Sequence, residues 1–229
     1  MQSTFLITGT DTGVGKTVLT ALLAGFLRAR GVKVAAFKPV CSGGRDDARA
    51  LHAVLGGALT LDEINPWHFR AAIAPSLAAK LEGKSVSLAQ VLAHIRARQR
   101  HFDVTLVEGA GGLLSPLGRN FDSRDLMVAL HATPIIVAPN QLGVVNHLLL
   151  TLEALPKSCR AKAKIVLMSP ARPDSATATN VRLLGGLIPP ENILCLPWLA
   201  SRNPLDLTLK KLPVKRTLAA LIGASSARL

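Results

Sequence analysis

Residues 9–17 read GTDTGVGKT and follow directly on the apolar residues 5–7. A turn between a strand and a helix does not require a lysine. A phosphate-binding loop does, because the lysine and the N-terminus of the next helix both face the anion. In the pattern G-x-x-x-x-G-K-[ST] the lysine reaches the β- and γ-phosphates and the next hydroxyl binds Mg²⁺, roles that would fall to Lys16 and Thr17. The first glycine, Gly9, lies one position early, but the strand before the loop and the helix after it predict a nucleotide-binding site.

The remainder of the chain alternates between strand-like and helix-like segments. This β–α–β alternation predicts an α/β fold: a mainly parallel, doubly wound sheet with helices on both faces. Ligands of such folds bind beyond the carboxyl ends of the strands. The predicted strands are residues 4–8, 32–37, 104–107, 134–138, 164–168 and 193–196, and the predicted helices are residues 17–30, 88–100, 144–155 and 217–222. Residues 57–87 show little periodicity and are interpreted as a lid or an excursion over the site.

Length and composition indicate one domain. The 229 residues are enough for one sizeable core, and we interpret residues 1–229 as a single domain in which residues 223–229 form a frayed tail. No apolar stretch is long enough to span a bilayer and no secretory pattern is present, so the expected location is the cytoplasm. Three cysteines without metal-binding spacing indicate reduced thiols.

The formal net charge of +13 is high for an enzyme of small metabolites and raises the question of a nucleic-acid or lipid partner. The basic residues form separate clusters within residues 96–100, 157–164 and 210–216, and no aromatic residues are interleaved with them to stack on bases. We interpret these clusters as solvated faces and expect no specific nucleic-acid partner and no membrane partner.

A second motif, KPVCSG at residues 38–43, ends the second predicted strand at the same edge of the sheet as Lys16. Two lysines beside one phosphate loop indicate a second anion or a phosphoryl group in transfer. Asp46 and Asp47 follow at once. One of them is a candidate Mg²⁺ ligand, and the other would suit the N-cap of a helix.

Two further motifs end strands or begin helices. In VEGAGGL, at residues 107–113, Glu108 ends an apolar strand as a metal-side carboxylate would, and the glycines allow backbone N–H groups to approach a ligand. In NQLGVVNH, at residues 140–147, a helix N-terminus could bind a carboxylate, although a plain capping turn is the alternative. The histidines of the chain have no ligand spacing, and none is assigned to a metal.

Together, these motifs resemble the dethiobiotin synthetase family over most of the chain, from Gly9 to residues 197–200. The loop GTDT-x-VGKT, including its displaced glycine, is similar to the family's own version, and KPV-x-SG, VEGAGG and LG-x-x-NH follow in the family's order. The resemblance implies a P-loop NTPase-like fold and an ATP- and Mg²⁺-dependent cyclo-ligase of biotin biosynthesis. Its substrates would be 7,8-diaminononanoate, CO₂ or bicarbonate, and ATP. A carbamate is phosphorylated to a carbamoyl-phosphate mixed anhydride, and the second amine closes the cyclic urea.

The resemblance also implies roles for individual residues. It further implies a homodimer whose sites lie at the interface, with the helix start at residues 143–146 holding the substrate's carboxylate in the neighbouring subunit's site. Asp11 would brace the loop or approach the metal. The implied set is Thr12, Lys16 and Lys38 for catalysis; Gly9, Asp11, Thr12, Gly13, Val14, Gly15, Lys16, Thr17, Glu108, Ser169, Pro197, Trp198 and Leu199 for the nucleotide; Thr17, Asp47 and Glu108 for the metal; and Thr12, Lys38, Ser42, Gly111, Gly112, Val144, Val145 and Asn146 for the substrate.

One departure from the family's pattern and two alternative functions stay open. Ser169 stands where family members often carry the Asn that reads adenine, which leaves the nucleotide preference open. A cobyrinate-type amide synthetase shares the loop, but it requires a glutaminase domain with a Cys-His pair. A ParA/MinD-like switch ATPase has a second lysine near the start of the loop, where this chain has Asp11, and only the basic surface favours that alternative.

Overall fold

A parallel β-sheet forms the centre of the computed structural model, which describes residues 2–199, 209 and 211–226. Every strand predicted from the sequence is present, with bounds that differ by at most two residues. Three-residue strands at residues 40–42, 67–69 and 116–118, and a two-residue strand at 121–122, were not predicted. The strands in chain order are β1 (Ser3–Gly9), β2 (Val34–Phe37), β3 (Val40–Ser42), β4 (Trp67–Phe69), β5 (Val104–Glu108), β6 (Pro116–Gly118), β7 (Phe121–Asp122), β8 (Thr133–Pro139), β9 (Lys164–Met168) and β10 (Ile193–Leu196).

Helices connect most of these strands, and their starts agree with local sequence signals. Capping boxes of the type Ser/Thr/Asp-x-x-Glu/Gln/Asp/Thr begin several of them, for example Ser87 with Gln90. The helices are α1 (Lys16–Arg28), α2 (Asp46–Leu55), α3 (Leu61–Ile64), α4 (Pro75–Leu81), α5 (Leu88–Gln99), α6 (Ser123–Ala129), α7 (Val144–Glu153), α8 (Lys157–Arg160), α9 (Ser175–Gly185) and α10 (Leu212–Ser226), with a 3₁₀ turn at Pro190–Asn192.

The main sheet has six strands within the described residues, in the order β10-β9-β8-β1-β5-β2, and every neighbouring pair is parallel. Parallel crossovers are right-handed, so α1 lies on one face of the sheet while α5, α6, α7 and α9 lie on the other. Contacts of α5 with α6 and of α7 with α9 agree with this arrangement, and α10 packs on α1 and β10. The predicted fold class is confirmed.

The buried apolar residues form one contiguous cluster around the sheet. The strands are buried on both faces, as is typical of parallel sheets, and Leu6, Ile7 and Leu106 have no exposed surface. Within the described part of the chain, no helix has both the length and the apolar character that crossing a bilayer requires. Because the six strands run parallel, their carboxyl ends lie along one edge of the sheet, and the site lies at that edge.

Two regions differ from the predictions. Residues 57–87 contain α3, β4 and α4, and β4 pairs in parallel with β3 in a small second sheet. This segment reaches the site, as its interpretation as an excursion requires. The last helix, Leu212–Ser226, is longer at both ends than the predicted 217–222. The expected frayed tail, 223–229, therefore begins within a helix, and residues 227–229 lie outside the described residues.

Candidate active site

The loop between β1 and α1 has the geometry of a phosphate-binding turn. Gly13 and Gly15 have φ of 75° and 99°, a left-handed conformation that favours glycine. The Lys16 ammonium bends back over the loop and donates to the Asp11 carbonyl oxygen at 2.7 Å. The Asp11 side chain accepts the Thr12 N–H at 2.6 Å. Asp11 therefore braces the loop, which is one of the two roles expected from the sequence.

The second lysine lies in a buried ionic cluster at the ends of β2 and β5. The Lys38 ammonium donates to Glu108 Oε1 at 2.7 Å and to the Gly109 carbonyl oxygen at 3.0 Å, and it lies 2.9 Å from Asp47 Oδ2. Lys38 is 3% exposed and Glu108 is fully buried, whereas the Asp47 side chain is about half exposed. The Thr17 hydroxyl donates to the same Glu108 oxygen at 2.6 Å. The structure thus brings Thr17, Lys38, Asp47 and Glu108 together.

The ionisation of these groups follows from burial and from their mutual charges. Burial lowers the pKa of the Lys16 ammonium from 10.5 to about 8, and the nearby Lys38 charge acts in the same direction. For Lys38, burial also works to lower the pKa, but the Glu108 and Asp47 carboxylates outweigh it, and the net pKa is raised. Partial burial works to raise the pKa of Asp47, yet the Lys38 charge outweighs it and lowers that pKa. Lys38 is therefore charged at neutral pH.

The donor set around Glu108 fits Mg²⁺. This ion prefers oxygen ligands from carboxylates and hydroxyls, and Thr17, Asp47 and Glu108 supply only such oxygens. Glu108 Oε2 is buried and has no hydrogen-bond partner in the structure. A buried carboxylate oxygen without a partner costs desolvation free energy, and a cation would recover it. The Thr17 hydroxyl and the Lys38 ammonium both donate to Glu108, and the orphaned Oε2 atom beside them supports a metal position there.

Lys16, Thr17, Lys38 and Asp47 border one open cleft of about 710 Å³ at the carboxyl edge of the sheet. Its walls come from four segments. These are the phosphate loop (residues 9–17), the Lys38 motif (residues 38–43), the glycine turn after β5 (residues 109–112) and the excursion (residues 57–87). The lining residues include Thr12, Gly13, Gly15, Lys16, Thr17, Lys38, Cys41, Ser42, Asp47, Ile73, Ala74, Pro75, Ala110, Gly111 and Ser115. Nine of the predicted residues, including both lysines, therefore line one cavity. Gly9, Asp11, Val14, Glu108 and Gly112 are not among its lining residues.

The glycine turn after β5 is shaped by close contacts. Gly111 has φ of 68°, and a Cβ added there would lie 2.4 Å from Ser115 Oγ. That hydroxyl accepts the Gly112 N–H at 2.9 Å. Gly112 in turn packs on the phosphate loop, since a Cβ there would lie 3.5 Å from the Gly9 carbonyl oxygen. The turn and the loop therefore form one continuous wall.

The residues predicted to contact the base directly follow two strands of the main sheet, β9 and β10. Ser169 follows β9, and its N–H donates to the Leu196 carbonyl oxygen at 2.9 Å. Pro197, Trp198 and Leu199 follow β10, and Trp198 is 54% exposed. Met168 connects this region to the loop, because a Cβ at Gly15 would lie 2.9 Å from Met168 Cε. These residues do not line the main cleft but lie at the same sheet edge.

The predicted carboxylate site at the start of α7 is separate from the cleft. Val144 is buried, its N–H donates to the Gln141 carbonyl oxygen at 3.3 Å, and Asn146 is exposed. Asn180 on α9 anchors the preceding loop by donating to Asn140 Oδ1 at 2.9 Å. Residues 144–146 are not among the residues that line this chain's own cleft, and the Val144 side chain is buried.

Three site features were missed by the sequence reasoning. Asn65 donates to the Lys38 carbonyl oxygen at 2.6 Å and accepts from Cys41 Sγ at 3.3 Å, which fixes the backbone beneath the lysine. Asn65 lies in the weakly periodic segment, where no pattern marks it. Residues 72–75 line the cleft and belong to the segment interpreted as a lid or an excursion over the site, but no individual role was predicted for them. Ser115 lies three residues after Gly112, and a serine closing a glycine turn was a signal that could have identified it.

A phosphate loop after the first strand of a parallel sheet, with a buried carboxylate on the neighbouring strand, defines a P-loop nucleotide-binding protein. Residues 3–204 match the family described as AAA domain. The structure is similar to a ParA family ATPase from Chlorobium tepidum TLS, with a TM-score of 0.59, 13% identity and full coverage of both chains. It is also similar to pNOB8 ParA bound to nonspecific DNA, with a TM-score of 0.56, 15% identity and coverage of 100% and 97%. At these identities the likeness shows the fold alone.

Sequence relatives narrow the class further. The chain is 46% identical over 153 residues to the ATP-dependent dethiobiotin synthetase BioD of Anaeromyxobacter sp. (strain Fw109-5), covering 65% of this chain and 69% of that protein. It is 40% identical over 197 residues to the BioD of Anaeromyxobacter dehalogenans (strain 2CP-C), covering 84% and 88%. The chain therefore belongs to the ATP-dependent dethiobiotin synthetase family, as its motifs suggest.

Proposed function

We propose that this protein is an ATP-dependent dethiobiotin synthetase, a ligase that closes the cyclic urea of dethiobiotin from 7,8-diaminononanoate, CO₂ and ATP. The observation that carries the proposal is the convergence of two lysine ammonium groups on one cleft beside a buried carboxylate. The reaction joins a carbamate and a γ-phosphate, both anionic, and two cations in one cavity reduce their repulsion. Family membership supports the choice of these substrates.

Each group has a task that its position supports. The phosphate loop binds the triphosphate through its backbone N–H groups, and Lys16 swings from the Asp11 carbonyl oxygen to the β- and γ-phosphates. Lys38 neutralises charge on the carbamate and on the phosphoryl group as it moves. Thr17, Asp47 and Glu108 would hold Mg²⁺, which supplies further charge stabilisation at the phosphates when it is bound. Thr12, Ser42 and the glycine turn position the two amines, so that the second amine attacks the mixed anhydride at close range.

The remaining roles belong to the proposal as well. Gly9, Gly13, Val14 and Gly15 shape the nucleotide site, while Ser169 and residues 197–199 contact the base. Because residues 144–146 lie outside the chain's own cleft, we assign them to the carboxylate tail of a substrate in a neighbouring subunit, which requires a homodimer. The chain would act as one domain, and its need for ATP favours the cytoplasm.

The test is a product assay with purified protein. Labelled bicarbonate, 7,8-diaminononanoate and Mg²⁺-ATP are supplied, and labelled dethiobiotin and released phosphate are both measured. We expect phosphate release that depends on the diamine and equals product formation. Lys16→Met should abolish both, whereas the matched control Lys33→Met, at an exposed lysine, should leave both unchanged.

Two results would contradict the proposal. The first is hydrolysis that ignores the diamine but rises with DNA or anionic lipid, which would identify a switch ATPase of the ParA/MinD type. The second is a glutamine-dependent amide product from a dicarboxylic substrate, which would identify an amide synthetase. CTP and GTP are compared with ATP in the same assay, because Ser169 leaves the nucleotide preference open.

A further inference from the structure

The position of the Lys38 ammonium in the structure bears on how the metal binds to the site. Its nitrogen lies within 2.9 Å of one oxygen of Glu108 and one of Asp47. These two carboxylates belong to the proposed metal set, and the third member, Thr17, donates to the same Glu108 oxygen as Lys38 does. One cation therefore already contacts the carboxylates that a second cation would need.

We propose that Lys38 acts as a surrogate cation, holding the metal's place in the metal-free protein, and that metal binding displaces its ammonium toward the reacting groups. The inference rests on the metal set assigned under the proposed function and adds an order of events to it. The Glu108 carboxylate is buried and the Asp47 carboxylate is half exposed; without a cation between them they would repel each other, and Glu108 would also lack hydration. The ammonium removes this cost until the metal arrives.

The Lys38 backbone is anchored, and its long side chain borders the cleft. Asn65 donates to the Lys38 carbonyl oxygen at 2.6 Å, and Lys38 follows directly on β2. The side chain has four rotatable carbon–carbon bonds and borders the cleft. Displacement from the carboxylates thus turns the charge toward the cavity. The Lys38 charge would then be fully available to the carbamate and phosphoryl group only after the metal has bound.

Glu108 provides the second observation. Its Oε1 accepts from Thr17 and Lys38, but its buried Oε2 has no partner. An ammonium therefore satisfies only half of this carboxylate. A divalent ion carries twice the charge and binds carboxylate oxygens at about 2.0–2.1 Å when it is Mg²⁺, closer than the ammonium lies. The difference favours exchange of one cation for the other.

The test measures metal binding without substrate or turnover. Free Mn²⁺ is followed by its electron paramagnetic resonance signal during titration of wild type, Lys38→Met, and the exposed control Lys33→Met. Loss of the competing ammonium should tighten Mn²⁺ binding in Lys38→Met by about tenfold or more, equivalent to about 1.4 kcal/mol. Lys33→Met should bind as wild type does. Equal or weaker Mn²⁺ binding by folded Lys38→Met would overturn the inference.

Thermal unfolding separates this role from a merely structural one. In chelator, Lys38→Met should unfold at a lower temperature than wild type, and saturating Mn²⁺ should restore most of the difference. A loss of stability that Mn²⁺ does not reduce would show that the lysine is only a structural ion-pair partner.

A measurement on the wild-type protein covers the case in which Lys38→Met does not fold. The Lys38 ammonium nitrogen is observed by NMR and assigned with Lys38→Arg, first in chelator and then in saturating Mg²⁺. We expect a slowly exchanging resonance in chelator that shifts or broadens with Mg²⁺. An unchanged resonance would refute displacement. Because none of these readouts involves dethiobiotin, an inactive protein that shows the exchange contradicts only the proposed function, and an active protein without it contradicts only this inference.

Discussion

Substitution of Gly111 by alanine tests the backbone of the glycine turn. Gly111 has φ of 68°, and left-handed backbone costs a residue with a Cβ about 1–2 kcal/mol. The new Cβ would also lie 2.4 Å from Ser115 Oγ and 2.8 Å from Ser115 Cβ, so the serine must move. Movement breaks its hydrogen bond with the Gly112 N–H, which contributes about 1 kcal/mol. We expect the free energy of unfolding to fall by about 2–3 kcal/mol in total.

The assay is urea unfolding followed by circular dichroism, with Gly112→Ala as the matched control. Gly112 has no positive φ, and its added Cβ would have 3.5 Å to the nearest heavy atom, an ordinary contact. This control should lose less than about 0.5 kcal/mol. The combination of Gly111→Ala with Ser115→Gly should be no less stable than Gly111→Ala alone, because Ser115→Gly removes the clash and the hydrogen bond is already broken. Equal stabilities of the Gly111 and Gly112 variants would refute the reasoning.

Three further predictions concern the chemistry of the cleft. Lys38→Ala should retain nucleotide binding in a filter or calorimetric assay but lose turnover by roughly 100-fold or more, because its charge is needed as the phosphoryl group moves; normal turnover would remove it from the reaction. Asp47→Ala and Glu108→Ala should each raise the Mg²⁺ concentration for half-maximal activity by roughly tenfold or more. An unchanged Mg²⁺ dependence in both would take them out of the metal set. Ser169→Asn should raise kcat/KM for ATP relative to CTP; an unaltered ratio would show that residue 169 does not read the base.

The sequence predicted best those parts of the fold in which the hydrophobic pattern agrees with local turn and capping residues. The six strands of the main sheet are continuous apolar segments, and strands buried on both faces require such segments. The start of α1 was predicted to within one residue, because a glycine–lysine–threonine sequence after a strand allows few other backbone paths. Lys38 and Glu108 were predicted from their positions at strand ends and Lys16 and Thr17 from the phosphate-loop pattern. The roles of Thr12, Ser42 and Asp47 came from the family resemblance.

The missed features depend on contacts between segments that are distant in the sequence. Asn65 contacts the Lys38 backbone from a separate element, and no local pattern marks a residue for that role. The last helix was predicted to start at residue 217, five residues after the observed start of α10 at Leu212. A proline in the first turn of a helix lacks only an N–H that would stay unbonded there, so the helix starts one residue before it. The burial of Val144 is likewise a tertiary effect.

The position of the buried ion pair follows from strand register rather than from any one motif. In the pairing of β2 with β5, Phe37 lies opposite Val107, so Lys38, directly after β2, and Glu108, at the end of β5, lie side by side. In the pairing of β1 with β5, Ile7 lies opposite Glu108, which places the carboxylate next to the strand that leads into the phosphate loop. A shift of one residue in either pairing would turn the side chains to the opposite face. The metal set, the second lysine and the phosphate loop meet because two parallel pairings fix the same carboxylate at once.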